Sequence, residues 1–189
     1  MKNLTFMTVV LGAVLMASPA IASENYVSIN GGVSLGQNET FKLYSYEDKV
    51  PFKAGFTTSL AVGHSFDDFR VEGELGYQTK QEDYTDGLRA HIYSGLVNGY
   101  YDIKGVSKAF TPYVTAGAGV GRIEYVDSSV DGNSAFAYQV GAGVLVSLAD
   151  NVSADLRFRH FAMTEVTPIE NLSFSPSTNS VTLGLNVGF

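Results

Sequence analysis

Residues 181–189 alternate without a break. Apolar side chains fall at Val181, Leu183, Leu185, Val187 and Phe189, and small or polar ones at Thr182, Gly184, Asn186 and Gly188. Successive side chains of a strand point to opposite faces, so this segment makes a ribbon with one greasy side and one polar side. A soluble protein gains little from strict alternation that runs to a terminal aromatic residue. The same period recurs upstream, so one side of many strands needs an apolar surrounding; a soluble β-sandwich would supply it from its core, but does not explain the terminal strand.

The amino end is consistent with export. Lys2 precedes an almost wholly apolar run from Leu4 to Ala17, and Ala20-Ile21-Ala22 has the small-x-small form of a cleavage site. The run is shorter than the ~20 residues of a membrane-crossing helix, and Pro19 lies at its end. The reading is a signal peptide over 1–22 and one mature domain over 23–189. Cysteine is absent, so no disulfide holds the exported chain. Nineteen acidic against twelve basic residues, a net charge of −7, argue against a nucleic-acid surface. No long apolar run follows the leader. In a bilayer every backbone group must be paired internally, which leaves a closed barrel as the membrane solution.

Taken in order, the mature chain reads as about eight strands. Tyr26–Leu35 alternates and is followed by a long exposed loop over 38–51. The second strand is Phe52–Phe66, closed by an Asp67-Asp68 turn. The third, Phe69–Lys80, sets Phe69, Val71, Leu75 and Tyr77 against Arg70, Glu72, Glu74 and Gln78. After a loop over 81–87, the fourth, about Leu88–Asp102, is expected to point Tyr93, Val97 and Tyr101 outward and Ser94 and Asn98 inward. Residues 103–110 connect it to the fifth, Thr111–Tyr125, and a loop over 126–134 follows. The sixth is Ala135–Leu148, then the Ala149-Asp150-Asn151 turn. The seventh, Val152–Phe161, carries Asp155, Arg157 and Arg159 on its inner face. A loop over 162–179 leads to the terminal strand. Aromatic residues gather near strand ends: Phe52, Phe66, Phe69, Tyr77, Tyr100, Tyr101, Phe110, Tyr113, Phe136 and Phe189. They are expected to form girdles at the two membrane interfaces. The fold class expected is all-β, an eight-stranded antiparallel transmembrane β-barrel with up-and-down connections.

The mature chain resembles the small outer-membrane barrel family that includes the OmpA transmembrane domain and the opacity-type surface proteins. The segments Asn98-Gly99-Tyr100-Tyr101-Asp102, 112–119 and Leu156-Arg157-Phe158-Arg159-His160 carry the likeness, along with the terminal strand. The resemblance implies that Val181, Leu183, Leu185, Val187 and Phe189 are read by the barrel assembly machinery. It also implies residence in the bacterial outer membrane, contact with its lipids and lipopolysaccharide, and host or surface ligands met through the loops. The chain stops at Phe189, where full-length OmpA proteins continue into a peptidoglycan-binding domain, so a cell-wall tether is not expected.

Eight strands enclose an interior just wide enough for side chains. Strands three and seven lie opposite each other across it, with Glu72 and Glu74 near the level of Arg157, Arg159 above, and Arg70 near Asp155. Opposite charges placed together offset the cost of burial. The expected site is an ionic plug of Arg70, Glu72, Glu74, Asp155, Arg157 and Arg159, serving structure or gating. Enzymes of this architecture that deacylate lipid A carry Ser two residues after a rim His. Here His160-Phe161-Ala162 has Ala at that place, so no catalytic residues are assigned. His64, His91 and His160 are scattered, and no metal or cofactor is expected. The glycines of Gly117-Ala118-Gly119-Val120-Gly121 alternate as strand residues and are read as relieving crowding, not as a dinucleotide loop. Asp83, Asp86, Asp127 and Asp131 are read as solvated loop charge. The functional expectation is a monomeric, non-enzymatic surface protein with a structural, antigenic or adhesive role. The alternative is a narrow porin passing small solutes.

Overall fold

A computed structural model describes residues 24–35, 38–43, 46–82, 89–107, 109–125, 132–169 and 172–189; for 38–43, 46–53, 80–82, 89, 125, 166–169 and 172–174 only the backbone is described. The proposed leader, most of the 81–87 and 126–134 loops, and Asp83, Asp86, Asp127 and Asp131 lie outside the described residues. The strands are β1 (Asn25–Leu35), β2 (Asn38–Leu43), β3 (Tyr46–Lys53), β4 (Gly55–Phe66), β5 (Phe69–Glu82), β6 (Arg89–Asp102), β7 (Phe110–Tyr125), β8 (Asn133–Ala149), β9 (Val152–Met163), β10 (Val166–Ile169), β11 (Leu172–Phe174) and β12 (Ser177–Gly188).

Eight of these close a ring in the order β1-β4-β5-β6-β7-β8-β9-β12, every pair antiparallel. The seam that closes it joins the two ends of the chain, with Tyr26 opposite Gly188 and Leu35 opposite Asn179. The short connections at 67–68, 103–109 and 150–151 lie at the end of the barrel that holds the termini, and the long ones at the far end. Asp67 adopts a left-handed φ of 51°, a conformation that Asp tolerates better than most residues. The longer 103–109 connection is tied down by Lys104, whose Nζ donates to the Asp67 carbonyl at 2.6 Å and lies 3.2 Å from the Asp68 carboxylate.

Alternation sets the two surfaces. Outward positions are apolar and exposed, as at Val97 (64% exposed) and Leu183 (67%), while their neighbours Asn98 (0%) and Thr182 (4%) are buried in the lumen. Small residues permit the tight seams. A Cβ at Gly119 would fall 2.1 Å from the Gly95 carbonyl oxygen on β6, and one at Gly117 would fall 1.9 Å from Asn98 Oδ1. The glycine run is thus strand residue by strand residue a matter of close approach.

Three differences from the sequence reading concern the far end and the aromatic residues. The 38–51 loop is a strand pair, β2 against β3, and the second strand is interrupted at Ala54 instead of running on from Phe52. The 162–179 loop contains β10 and β11, and β11 pairs with β2, so the first and last long connections share one sheet beyond the barrel. Tyr100 and Tyr113, assigned to the girdles, are inside the barrel. Tyr101, Phe66, Phe69, Phe110, Phe136 and Phe189 do point outward near strand ends, Tyr77 lies farther along β5, and the side chain of Phe52 lies outside the described residues.

Because the outer wall has lipid as its solvent, a charge there is costly in proportion to depth. Val97→Arg, near the middle of β6, is expected to destabilise the folded barrel by about 2–4 kcal/mol, and Phe66→Arg, at a strand end, by about 0–1 kcal/mol. Urea titration in lipid vesicles measures both, and equal losses at the two depths would contradict the lipid-facing assignment.

Candidate functional site: the lumen charge network

The inner faces of β5 and β9 present charge at a spacing of two residues. Arg70, Glu72 and Glu74 come from β5, and Asp155, Arg157 and Arg159 from β9. All six are buried, as is Asp102 at the end of β6. Two linked clusters result.

In the cluster nearer the termini, Arg70 donates from Nε and Nη2 to the Asp102 carboxylate at 2.8 and 2.9 Å, a two-pronged pair of the strong, charge-assisted kind. Its Nη1 donates to Tyr26 Oη at 3.3 Å and lies 3.9 Å from Glu72 Oε1. Glu72 accepts from two tyrosines, Tyr26 at 2.7 Å and Tyr100 at 2.5 Å. In the second cluster, Arg157 donates to Asp155 at 2.7 Å, to Tyr113 Oη at 2.9 Å and, across the barrel, to Glu74 at 3.4 Å. Tyr113 in turn donates to Asp155 at 2.6 Å. Arg159 donates to Glu74 at 2.9 Å, to Gln139 at 3.2 Å and to Thr57 on β4 at 3.1 Å, and Gln139 donates to Asn98 at 2.6 Å. The clusters meet at an edge-on Tyr100–Tyr113 pair, with ring centres 5.4 Å apart. Arg70 Cζ lies 4.4 Å from the Tyr100 ring centre, and Arg157 Cζ lies 5.3 Å from it.

Arg70 does not pair with Asp155, as the level count suggested. Asp102 takes Arg70, and Asp155 takes its own strand neighbour Arg157. The sequence reading also missed Tyr26, Tyr100, Asp102, Tyr113 and Gln139 as members. Two glycines make room for the tyrosines: a Cβ on Gly63 would fall 2.3 Å from Cζ of Tyr26, and one on Gly143 would fall 2.4 Å from Tyr113 Oη. Farther from the termini, Ile92, Leu96, Ile123, Phe161 and Met163 form a buried apolar cluster inside the β6–β9 side of the lumen. Its residues share inward parity with Asn98, Gly121 and Arg159, a continuation that was readable along each strand.

The remaining candidates lie apart. Val181, Leu183, Leu185, Val187 and Phe189 are on the outer face of β12 or just beyond its end. His160 Nδ1 lies 2.8 Å from Asn179 Oδ1, His64 Nδ1 lies 2.8 Å from Asn25 Oδ1, and His91 contacts Tyr77. Among the described residues, no group of His, Asp and Glu is arranged to hold a metal.

Residues 7–189 match the model of the outer membrane protein beta-barrel domain family. The chain belongs to this family. It is 25% identical over 211 residues to outer membrane protein PagN of Salmonella typhimurium, covering 90% of this chain and 88% of that protein. It is 30% identical over 147 residues to a 22 kDa outer membrane protein of Rhizobium leguminosarum bv. viciae, covering 71% and 67%. The crystal structure of Neisserial surface protein A has the same fold, with a TM-score of 0.63 at 19% identity over 90% of this chain and all of that one. The barrel domain of Pseudomonas aeruginosa OprF is similar at 0.51, with 17% identity over 88% and 99%. This family member is accordingly an integral β-barrel of the bacterial outer membrane in contact with its lipids. Short turns face the periplasm in such barrels and the long connections face outward.

Breaking a buried pair leaves a partner charge stranded. Glu74→Ala strips both Arg157 and Arg159 and is expected to lower stability by about 3–5 kcal/mol. Replacing Glu74, Asp155, Arg157 and Arg159 together with Leu, Asn, Met and Met, which leaves no charge of this cluster unpaired, is expected to be close to neutral or stabilising. Unfolding titrations of the two variants in vesicles measure the contrast; equal destabilisation would contradict charge stranding as the cause.

Proposed function

We propose that this protein is a closed, monomeric scaffold that holds a sheet of surface segments outside the cell, with an adhesive, antigenic or envelope-supporting role. The observation that carries this reading is the cross-barrel pairing of Glu74 with Arg157 and Arg159, backed by the apolar cluster toward the outer mouth. A hydrophobic constriction and neutralised charge both oppose ion passage. What the protein offers to molecules beyond the membrane is then its outer connections. The β11–β2 pairing ties the first and last of these together through main-chain hydrogen bonds, which supports a fixed platform in place of independent loops.

The chemistry at the rim supports a non-enzymatic role. A lipid hydrolase needs a hydroxyl nucleophile beside its base; two residues after His160 stands Ala162, and the ring of His160 is held by Asn179. In this reading residues 1–22 are removed on export, and the outward face of β12 with Phe189 is the signal taken up by the assembly machinery.

Purified protein in planar bilayers is expected to show no steady large conductance; a stable open current would favour the narrow porin instead. Removing residues 38–51 is expected to leave the heat-dependent gel shift of a folded barrel intact while abolishing adherence of expressing cells to host cells or matrix. Adherence unchanged by that deletion would contradict display through this sheet.

A further inference from the structure

The chain carries a net charge of −7, yet its outer end sorts the two signs by face. Of the twelve basic residues, six lie outside the proposed leader, the lumen and the 103–109 connection: Lys42, Lys49, Lys53, Lys80, Arg89 and Arg122. All six belong to β2, β3, β5, β6 and β7, toward the ends away from the termini. From Asn133 to Phe189 the sole bases are Arg157 and Arg159, which are in the lumen. The outer wall of β8, β9 and β12 therefore carries no base.

Register assigns the six to faces. β5 pairs with β4 as far as Thr57–Gln78, and beyond that with β3 at Lys53–Gln81, so β3 continues the wall where β4 leaves off. Directly opposed residues share a face. Lys53, Gln81 and Arg89 stand in one row, in the outward parity of Tyr77 and Tyr93. Lys49 and Glu47 keep that parity along β3, with Lys42 of β2 opposite Glu47. Toward the membrane, His91 stands opposite Glu124, and then Tyr93 opposite Arg122. The inward parity holds the acids Glu39, Asp48 and Glu82, together with Lys80. Among the described residues of this sector, the outward face thus has five bases against two carboxylates, Glu47 and Glu124.

Arg122 marks the depth. Its half-exposed side chain donates from Nε to Glu124 at 2.8 Å, in the same row as Tyr77 and Tyr93. The next outward residue down β7 is Val120, 62% exposed on the lipid-facing wall, with Phe136 opposite it. An arginine at the edge of the apolar band reaches headgroup level through its long stem. The basic sector therefore begins where hydrocarbon ends and continues the wall sideways, facing neighbouring lipids. A soluble polyanion arriving from outside meets those lipids before it meets Arg122. Guanidinium groups pair with phosphate by two-pronged, charge-assisted bonds.

We infer that the outward rim of β3, β5, β6 and β7 is a docking surface for the phosphate-bearing glycolipid of the outer leaflet, lipopolysaccharide. Its bases meet phosphate, and Tyr77 and Tyr93 lie along the border between sugar and acyl chain. Lipid is held on this side of the barrel, while the base-free wall of β8, β9 and β12 holds none by charge. The inference rests on residence in the outer membrane and not on display or adhesion, so an adherence result bears on that reading alone.

The test is a titration of purified lipid A into the folded mature protein in a neutral detergent, with bound lipid counted by native mass spectrometry. Lipid A with both phosphates is expected to bind more tightly than the same lipid stripped of them, by about 25-fold or more. Arg89→Gln with Arg122→Gln is expected to weaken the phosphorylated lipid about 25-fold, about fivefold for each charge. Lys49→Gln with Lys53→Gln reads the same surface from β3 and is expected to weaken binding in the same direction. Lys104→Gln with Lys108→Gln removes equal charge from the 103–109 connection and is expected to change nothing. The heat-dependent gel shift shows which variants are folded. Equal binding of the two lipids overturns the proposal. So does binding that both rim variants retain in full, or a loss as large in the Lys104 and Lys108 variant, because the attraction would then be diffuse. Heparin held more tightly than lipid A by the same two arginines also overturns it, since the rim would then serve a soluble polysaccharide.

Discussion

The structure rests on one constraint: a backbone placed in lipid has no water to bond to. Every N–H and C=O in the membrane-crossing strands needs a neighbour strand, and a sheet can satisfy that at both edges only by closing. The β1–β12 seam performs the closure here, pairing the first barrel strand with the last over ten register positions from Tyr26–Gly188 to Leu35–Asn179. Once the ring is shut, the period of two assigns each side chain either to lipid or to the lumen. The alternation in residues 181–189 is the local sequence consequence of that global requirement.

Closure inverts the usual logic of a core. The greasy side chains face outward, so the interior is assembled from what remains. In one half of the lumen the solution is ionic, with Arg70, Arg157 and Arg159 set against Glu72, Glu74, Asp102 and Asp155 and tyrosines filling the joints. Such a network contributes less through attraction than through the penalty for disrupting it, since each charge has already lost its water. It therefore fixes the relative level of β5 and β9 more firmly than it raises net stability. Above it, the cluster around Ile92, Phe161 and Met163 uses ordinary apolar packing. The division of labour leaves the β12–β1 seam, beyond Tyr26, lined by small hydroxyls and amides.

Much of this was legible from the chain. The eight barrel strands, their facing and the six charged lumen residues all follow from parity. What escaped has identifiable causes. In Tyr100-Tyr101 two like residues sit side by side, and a count of aromatics near strand ends cannot tell that one faces lipid and the other Glu72. Asp102 is the last residue of β6, beside a connection, and matching Arg70 by level straight across to β9 passes over it. Tyr113 follows a proline and was likewise put in a girdle. The 38–51 segment alternates poorly and is rich in charge and tyrosine, so no pattern marks the β2–β3 pairing within it, and its further pairing with β11, more than a hundred residues away, is not local at all. Ile92, Leu96 and Phe161 were missed as a cluster because apolar residues on an inward face run against the simple rule of polar inside and apolar outside.

The account depends most directly on which faces meet lipid and which meet the lumen. Nitroxide labels placed singly at each position from 179 to 187 in vesicle-embedded protein measure this by collision with oxygen, which partitions into lipid, and with a polar nickel chelate, which does not. The expected profile oscillates with a period of two, with oxygen access high at 181, 183, 185 and 187 and low at 180, 182, 184 and 186. A flat profile, or maxima at the even positions, would contradict the account.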